Sequence, residues 1–174
     1  MSVVFEQVKG VLSSTPDRWN ILVDSIPDEL LKRAPAPNEW SALECLQHLI
    51  DTEPIFAFRV GAFLAGQDFP AFDPDTQGTK PGITSAREMV VDFTRLRAES
   101  LALFPTLTSA DLARRARHAE LGPVSLGEML HEWAAHDLMH TVQAERAMMQ
   151  PFIARSGPWR HYFADHDVEL PMKR

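Results

Sequence analysis

The 174-residue chain contains a single cysteine, Cys45. That excludes an intramolecular disulfide and gives no sign of an oxidising compartment. No stretch approaches the ~18 apolar residues needed to span a bilayer, so no membrane partner is expected. Basic residues are in the minority: 17 Lys and Arg stand against 24 Asp and Glu, a formal net charge of −7. Phosphate binding normally needs a basic surface, so this balance argues against a nucleic-acid partner. The one basic cluster, Arg114, Arg115 and Arg117, is expected to be the solvated face of a short helix or loop. Gly-rich phosphate loops, CxxC pairs and internal repeats are absent. The opening MSVVFEQVKG has no basic region followed by an apolar run. No secretory signal is expected from it, and the protein is expected to be cytoplasmic.

What is present suits one globular domain over residues 1–174, with 45% hydrophobic and 24% charged residues. Helix starts are legible. Ser41-Ala-Leu-Glu44, Ser85-Ala-Arg-Glu88 and Ser125-Leu-Gly-Glu128 are capping boxes, in which the Ser accepts from the Glu amide and the Glu reaches back to the Ser amide. Trp40 and Val124 precede two of them, placed to staple against Cys45 and Met129. Thr15-Pro16 is a further start, with Pro at the first helical position. The expected helices are 16–25, with a helical leader reaching back to about residue 3, then 42–65, 86–104 and 126–150. Gly66 follows the second, Pro105 closes the third, and Pro151 ends or kinks the fourth. DFPAFDPDTQGTKPGI (68–83) reads as a long loop. Period-two alternation is scarce, so no significant sheet is expected and the four helices imply a bundle.

Three of the seven histidines fall in HEWAAHDLMH, residues 131–140. At about 100° per residue, His136 and His140 lie about 40° apart on one side of a helix, whereas His131 lies about 140° from the first and about 180° from the second. His136 and His140 can therefore point at one ion and His131 cannot join them. The zinc-protease motif HExxH fails by one residue here, since the first pair is spaced by five. Glu128-Met-Leu-His131 is an ExxH, but the second copy that a di-iron bundle needs is missing. Met129, Trp133, Gln143, Ala144 and Ala147 share the broad direction of His136, so the pair is expected to point into the bundle. Leu138, Val142 and Met149 make a second apolar side, either packed under a loop or serving as a subunit interface.

His48 shares a mainly apolar stripe with Cys45, Thr52, Ile55, Phe56, Arg59 and Phe63. A core histidine is usually a hydrogen-bonded structural residue. Three buried imidazoles have the alternative of sharing one divalent ion, for which the neutral ring is a good ligand.

PAPNEWSALECLQHLIDTEPIFAFR (35–59) and GPVSLGEMLHEWAAHDLMHTVQ (122–143) resemble the second-helix and last-helix signatures of the DinB/YfiT-like family, in that order and separation. The resemblance runs over about residues 10–150, leaving 151–174 as a C-terminal extension. It implies an all-α antiparallel four-helix bundle. It further implies one divalent metal ion (zinc, nickel, iron or manganese) held by His48, His136 and His140, and a homodimer. Members of known activity include thiol-dependent transferases and isomerases.

Three neutral ligands leave coordination positions open, as in catalytic sites. Such an ion lowers the pKa of a coordinated water toward ~7, polarises a carbonyl or keeps a thiolate ionised. The reading is a metal-dependent enzyme of thiol-transferase or hydrolase type acting on a small molecule, with a low-molecular-weight thiol as a candidate partner. The alternative is a non-catalytic metal- or ligand-binding stress-response bundle. Gln143 and Glu132 are the candidate catalytic side chains, the first as a hydrogen-bond partner for coordinated water and the second as a base. Asp51 and Arg59 either orient imidazoles or form ion pairs. Asp137 is expected near a helix boundary or paired with an Arg, Cys45 in the core, and His161 and His166 at the surface.

Overall fold

In a computed structural model the described residues are 3–79 and 85–169. The main helices are α1 (Val3–Ser25), α3 (Ala42–Ala65), α5 (Ala86–Leu101) and α6 (Leu126–Arg155), with one-turn helices α2 (Asp28–Leu31) and α4 (Pro74–Gln77) between them. All three capping boxes form, with the serine hydroxyls of Ser41, Ser85 and Ser125 accepting from the amides of Glu44, Glu88 and Glu128. Gly66 closes α3 in the left-handed conformation at φ 65°, where a side chain would be strained. Residues 80–83 of the expected loop lie outside the described residues. Its described part holds α4 and a parallel bridge from Phe69 to His118.

Three boundaries differ from expectation. Pro16 does not start α1 but sits inside it, so the leader is part of one helix. α5 ends at Leu101, and a 3-10 turn at Phe104–Thr106 follows. α6 runs through Pro151 to Arg155. Losing one N–H does not stop this helix, because Ile153 on the following turn is only 1% exposed and anchors it in the core.

Among the described residues the sheet content is small, as expected, and confined to two short strands. β1 (Arg115–His118) and β2 (Gly122–Ser125) pair antiparallel. Of the basic cluster, Arg115 and Arg117 therefore lie on a strand, while Arg114 caps the 3-10 turn Asp111–Ala113 before it; all three are exposed, as expected. In β1 the arginines face solvent while Ala116 and His118 are buried, the period-two alternation of a half-buried strand.

The bundle has an uncommon neighbour relationship. α3 and α5 pack together, as do α3 with α6, α1 with α5, and α1 with α6. The first two main helices along the chain, α1 and α3, thus face each other across the core. One end of the core gathers Trp19, Leu46, Met89 and Ala144, and the other gathers Val8, Phe63, Leu126 and Leu130. α1 and α6 therefore run one way and α3 and α5 the other.

At mid-height all four helices meet one side chain. Arg97 on α5, 1% exposed, donates through Nε and Nη2 to Glu53 on α3 at 2.7 and 2.9 Å. Nη1 and Nη2 donate to Asp137 on α6 at 2.6 and 2.9 Å. The second Nη1 proton goes to the Leu12 carbonyl on α1 at 2.8 Å. All five N–H donors are used, the condition under which burying such a charge is tolerable. Burial by itself would lower the Arg97 pKa; the bonds to Glu53 and Asp137 outweigh it and raise it. Of the two expectations for Asp137, pairing with an Arg is what forms.

The extension packs on α6 through a 3-10 segment, Gly157–Phe163. The side chains of Arg146 and Gln150 donate to the His166 carbonyl, and Arg160 pairs with Asp167 at 2.6 Å. His161 and His166 are exposed, as expected.

Candidate metal centre

His48 is carried by the second turn of α3, which the Ser41 cap starts. His136 and His140 are carried by α6, which the Ser125 cap starts. The three rings meet at the α3–α6 seam, with one ring nitrogen from each lying within 4.8 Å of the others. His48 Nε2 faces His136 Nε2 at 2.9 Å. His48 and His140 are buried and His136 is partly buried. His131 stands apart, exposed, with Nδ1 against the Gly127 carbonyl at 2.8 Å. Its separation from the pair is what the helical spacing predicts.

The electrostatics keep these rings neutral. His48 is pushed down to about 4, first by burial and then by His140, with Asp51 opposing. His136 is pushed down to about 3, first by burial and then by its two neighbouring histidines. Burial also lowers His140, against Gln143 and Asp137. Among the described residues, His136 Nδ1 is buried without a hydrogen-bond partner. A buried cluster of neutral imidazoles with facing nitrogen lone pairs fits the donor set of a borderline divalent cation.

Two residues shape the cluster in ways the sequence did not disclose. Gln143 Oε1 lies 2.9 Å from His140 Nδ1. Facing an acceptor, Nδ1 carries the proton, which leaves Nε2 as a free lone pair. Gln143 thus bonds the ring through its amide oxygen. Trp40 stacks on His140 at 5.7 Å and 23° and tilts against His48 at 5.0 Å. It was legible only as a staple next to a cap.

The other candidates sort differently. Asp51 accepts from the Thr79 amide at 2.7 Å and from Gln47 at 3.0 Å, tying the following loop to α3 without bonding an imidazole. Arg59 bonds no imidazole either; its guanidinium lies 5.7 and 5.4 Å from the rings of Phe56 and Phe69. Glu132 is exposed on the wall of a cavity of about 320 Å³ that also holds the three histidines, Trp40 and Arg59. Desolvation there raises its carboxyl pKa and Arg59 opposes the rise. Cys45 is a core residue as expected, fully buried, its thiol pushed up to about 12 by burial and next by Glu44. That is no nucleophile.

Among solved structures the chain is similar to YfiT from Bacillus subtilis, described as a probable metal-dependent hydrolase with an unusual four-helix bundle topology. The TM-score is 0.72 at 17% identity, covering 84% of this chain and 87% of that one. At that identity the likeness speaks to the fold. No curated protein matches. The family model of the DinB superfamily matches residues 12–144, a span that holds all three clustered histidines, their caps and the Arg97 clamp. By that match the chain belongs to the DinB superfamily.

Proposed function

We propose that the protein is a metal-dependent enzyme of hydrolase or thiol-dependent transferase type. In this reading His48, His136 and His140 hold one divalent ion, and the protein works on a small molecule in the cytoplasm as a homodimer. The observation that carries the proposal is the meeting of three imidazole nitrogens within 4.8 Å on the wall of an open cavity. An ion bound there supplies Lewis acidity to a substrate carbonyl or keeps a thiol partner ionised. Gln143 fixes the tautomer that leaves the His140 Nε2 lone pair free. Trp40 shields one side of the cluster from water. Glu132, on the cavity wall with its pKa raised, is the candidate to accept a proton from the attacking group. The dimer is supported by Leu138 and Val142 on the outer side of α6, which are 41% and 57% exposed.

Elemental analysis of the purified protein tests the centre. About one divalent ion per chain is expected, lost in His48→Ala and His140→Ala; full retention in His136→Ala sinks the proposal. Turnover that vanishes with a chelator, on esters or on electrophiles offered with a thiol, tests catalysis. One observation favours a non-catalytic metal-binding bundle instead. Among the described residues no carboxylate hydrogen-bonds any of the three imidazoles. Metal binding without turnover on either substrate class selects that second reading.

A further inference from the structure

The cavity at the histidines adjoins a second one, also about 320 Å³, between α3, the start of α6 and the β1–β2 hairpin. The two share Arg59, Phe72 and Glu132. The walls of the second are largely apolar, with Phe69, Leu121, Val124 and Met129 among them.

Two hydrogen-bond donors on these walls have no protein acceptor among the described residues. The first is Arg59. Its Nε is buried without a partner, and it forms no ion pair, in contrast to Arg97, whose five donors are all used. The rings of Phe56 and Phe69 hold it in place. A buried guanidinium donor left unmet is costly unless something else meets it. The second is His118, 8% exposed. Its Nδ1 accepts from the backbone amides of Glu120 and Leu121, each at 3.2 Å. With Nδ1 used as an acceptor, the ring proton of neutral His118 must sit on Nε2. Burial and then Arg59 lower the His118 pKa, which favours that neutral form.

We propose that this second cavity is a substrate subsite for a carboxylate, gripped by the Arg59 guanidinium and the His118 Nε2 proton, with the apolar part of the same molecule against Phe69, Leu121 and Met129. Three glutamates also line the cavity, and they set the charge of the ligand. Glu128 is committed to the Ser125 cap at 2.6 and 2.7 Å. Glu120 is exposed, and Glu132 leaves Arg59 unpaired. One guanidinium beside two carboxylates that do not pair with it, Glu120 and Glu132, suits a planar singly charged group and disfavours a dianionic phosphate. The subsite rests on the proposed enzyme reading only in its purpose: the shared wall gives a carboxylic acid derivative one end at Arg59 and its reactive end at the histidines.

The test is calorimetric titration of the purified full-length protein with phenylacetate and with phenylacetamide, which match in shape and differ in charge. Phenylacetate is expected to bind at least about tenfold more tightly, the worth of hydrogen bonds to a charged group. Arg59→Gln is expected to erase that preference, and His118→Phe to reduce it several-fold. In His48→Ala the preference is expected to persist, so loss of the metal centre and loss of the subsite are read separately. Equal affinity for the two probes, no detectable binding of either, or a preference that survives in Arg59→Gln overturns the proposal.

Discussion

Arg97 donates to the main-chain carbonyl of Leu12 at 2.8 Å, and that carbonyl is the one Pro16, four residues on, has no N–H to meet. A proline inside an exposed helix costs about 3 kcal/mol. Here the gap it opens is the place where a neighbouring helix plugs in. Arg97 then carries its charge to Glu53 and Asp137, so four helices converge on one residue. Replacing Arg97 by Met leaves two carboxylates buried without a cation. The expected loss is ~3–5 kcal/mol, read from urea unfolding. Pro16→Ala is expected to change stability by less than about 1 kcal/mol, because the freed carbonyl is already bonded.

Gln143 sets the His140 tautomer without belonging to the candidate ligand set. Gln143→Leu is expected to leave the melting temperature of the metal-free protein almost unchanged. Its divalent-ion affinity is expected to fall by about ten- to a hundredfold, measured by competition with a chromogenic chelator. An unchanged affinity removes Gln143 from the centre.

Trp40 stacks on His140, so its indole reports on the cluster. Titrating nickel or copper into the protein is expected to quench tryptophan emission to an end point near one equivalent. Trp40→Phe is expected to remove most of the quenching while elemental analysis still finds the ion. Trp19 and Trp133, both fully buried, and the exposed Trp159 supply the emission that remains.

The metal-free protein is expected to lose stability as pH falls. Burial, followed by the neighbouring histidines, holds His136 at about 3, and burial holds His48 at about 4. An unfolded histidine titrates near about 6.5. Between those values the unfolded chain binds more protons than the native one, so unfolding becomes easier with each added proton. Above about pH 6.5 both states are neutral and the curve is flat. Thermal melts across that range check this. His136→Phe is expected to flatten the fall between about pH 6.5 and 4.

The three capping boxes were readable from residues three apart, and each forms as spaced. Ser125→Ala at the start of α6 is expected to cost about 1 kcal/mol, lowering the melting temperature by about 2–4 °C.

Local signals of this kind disclosed the caps, the separation of His131 from His136 and His140, and the burial of the stripe that carries His48. Long-range partners were out of reach. Nothing in the spacing of Glu53, Arg97 and Asp137 says that they meet, since they are 44 and 40 residues apart and their encounter depends on which helices are neighbours. The strand at Arg115–His118 was missed because its pattern is four residues long and its arginines look like a solvated surface. Trp40 was read through its chain neighbours, although its ring contacts come from His48, eight residues on, and from His140 on another helix.

The diagonal placement of α1 and α3 has a consequence for how the chain acquires its structure. In a bundle of adjacent hairpins, each helix finds its partner as soon as it is made. Here α1 and α3 both need α5 and α6 as partners, so the early half of a growing chain has no hairpin to form and must hold its apolar stripes open. Contacts of long sequence separation slow folding. The last of the four bundle helices to emerge is also the one that carries His136 and His140. Closure of the bundle and assembly of the histidine cluster are therefore a single late event. A truncation that removes α6 is expected to leave a chain that aggregates instead of a smaller stable bundle.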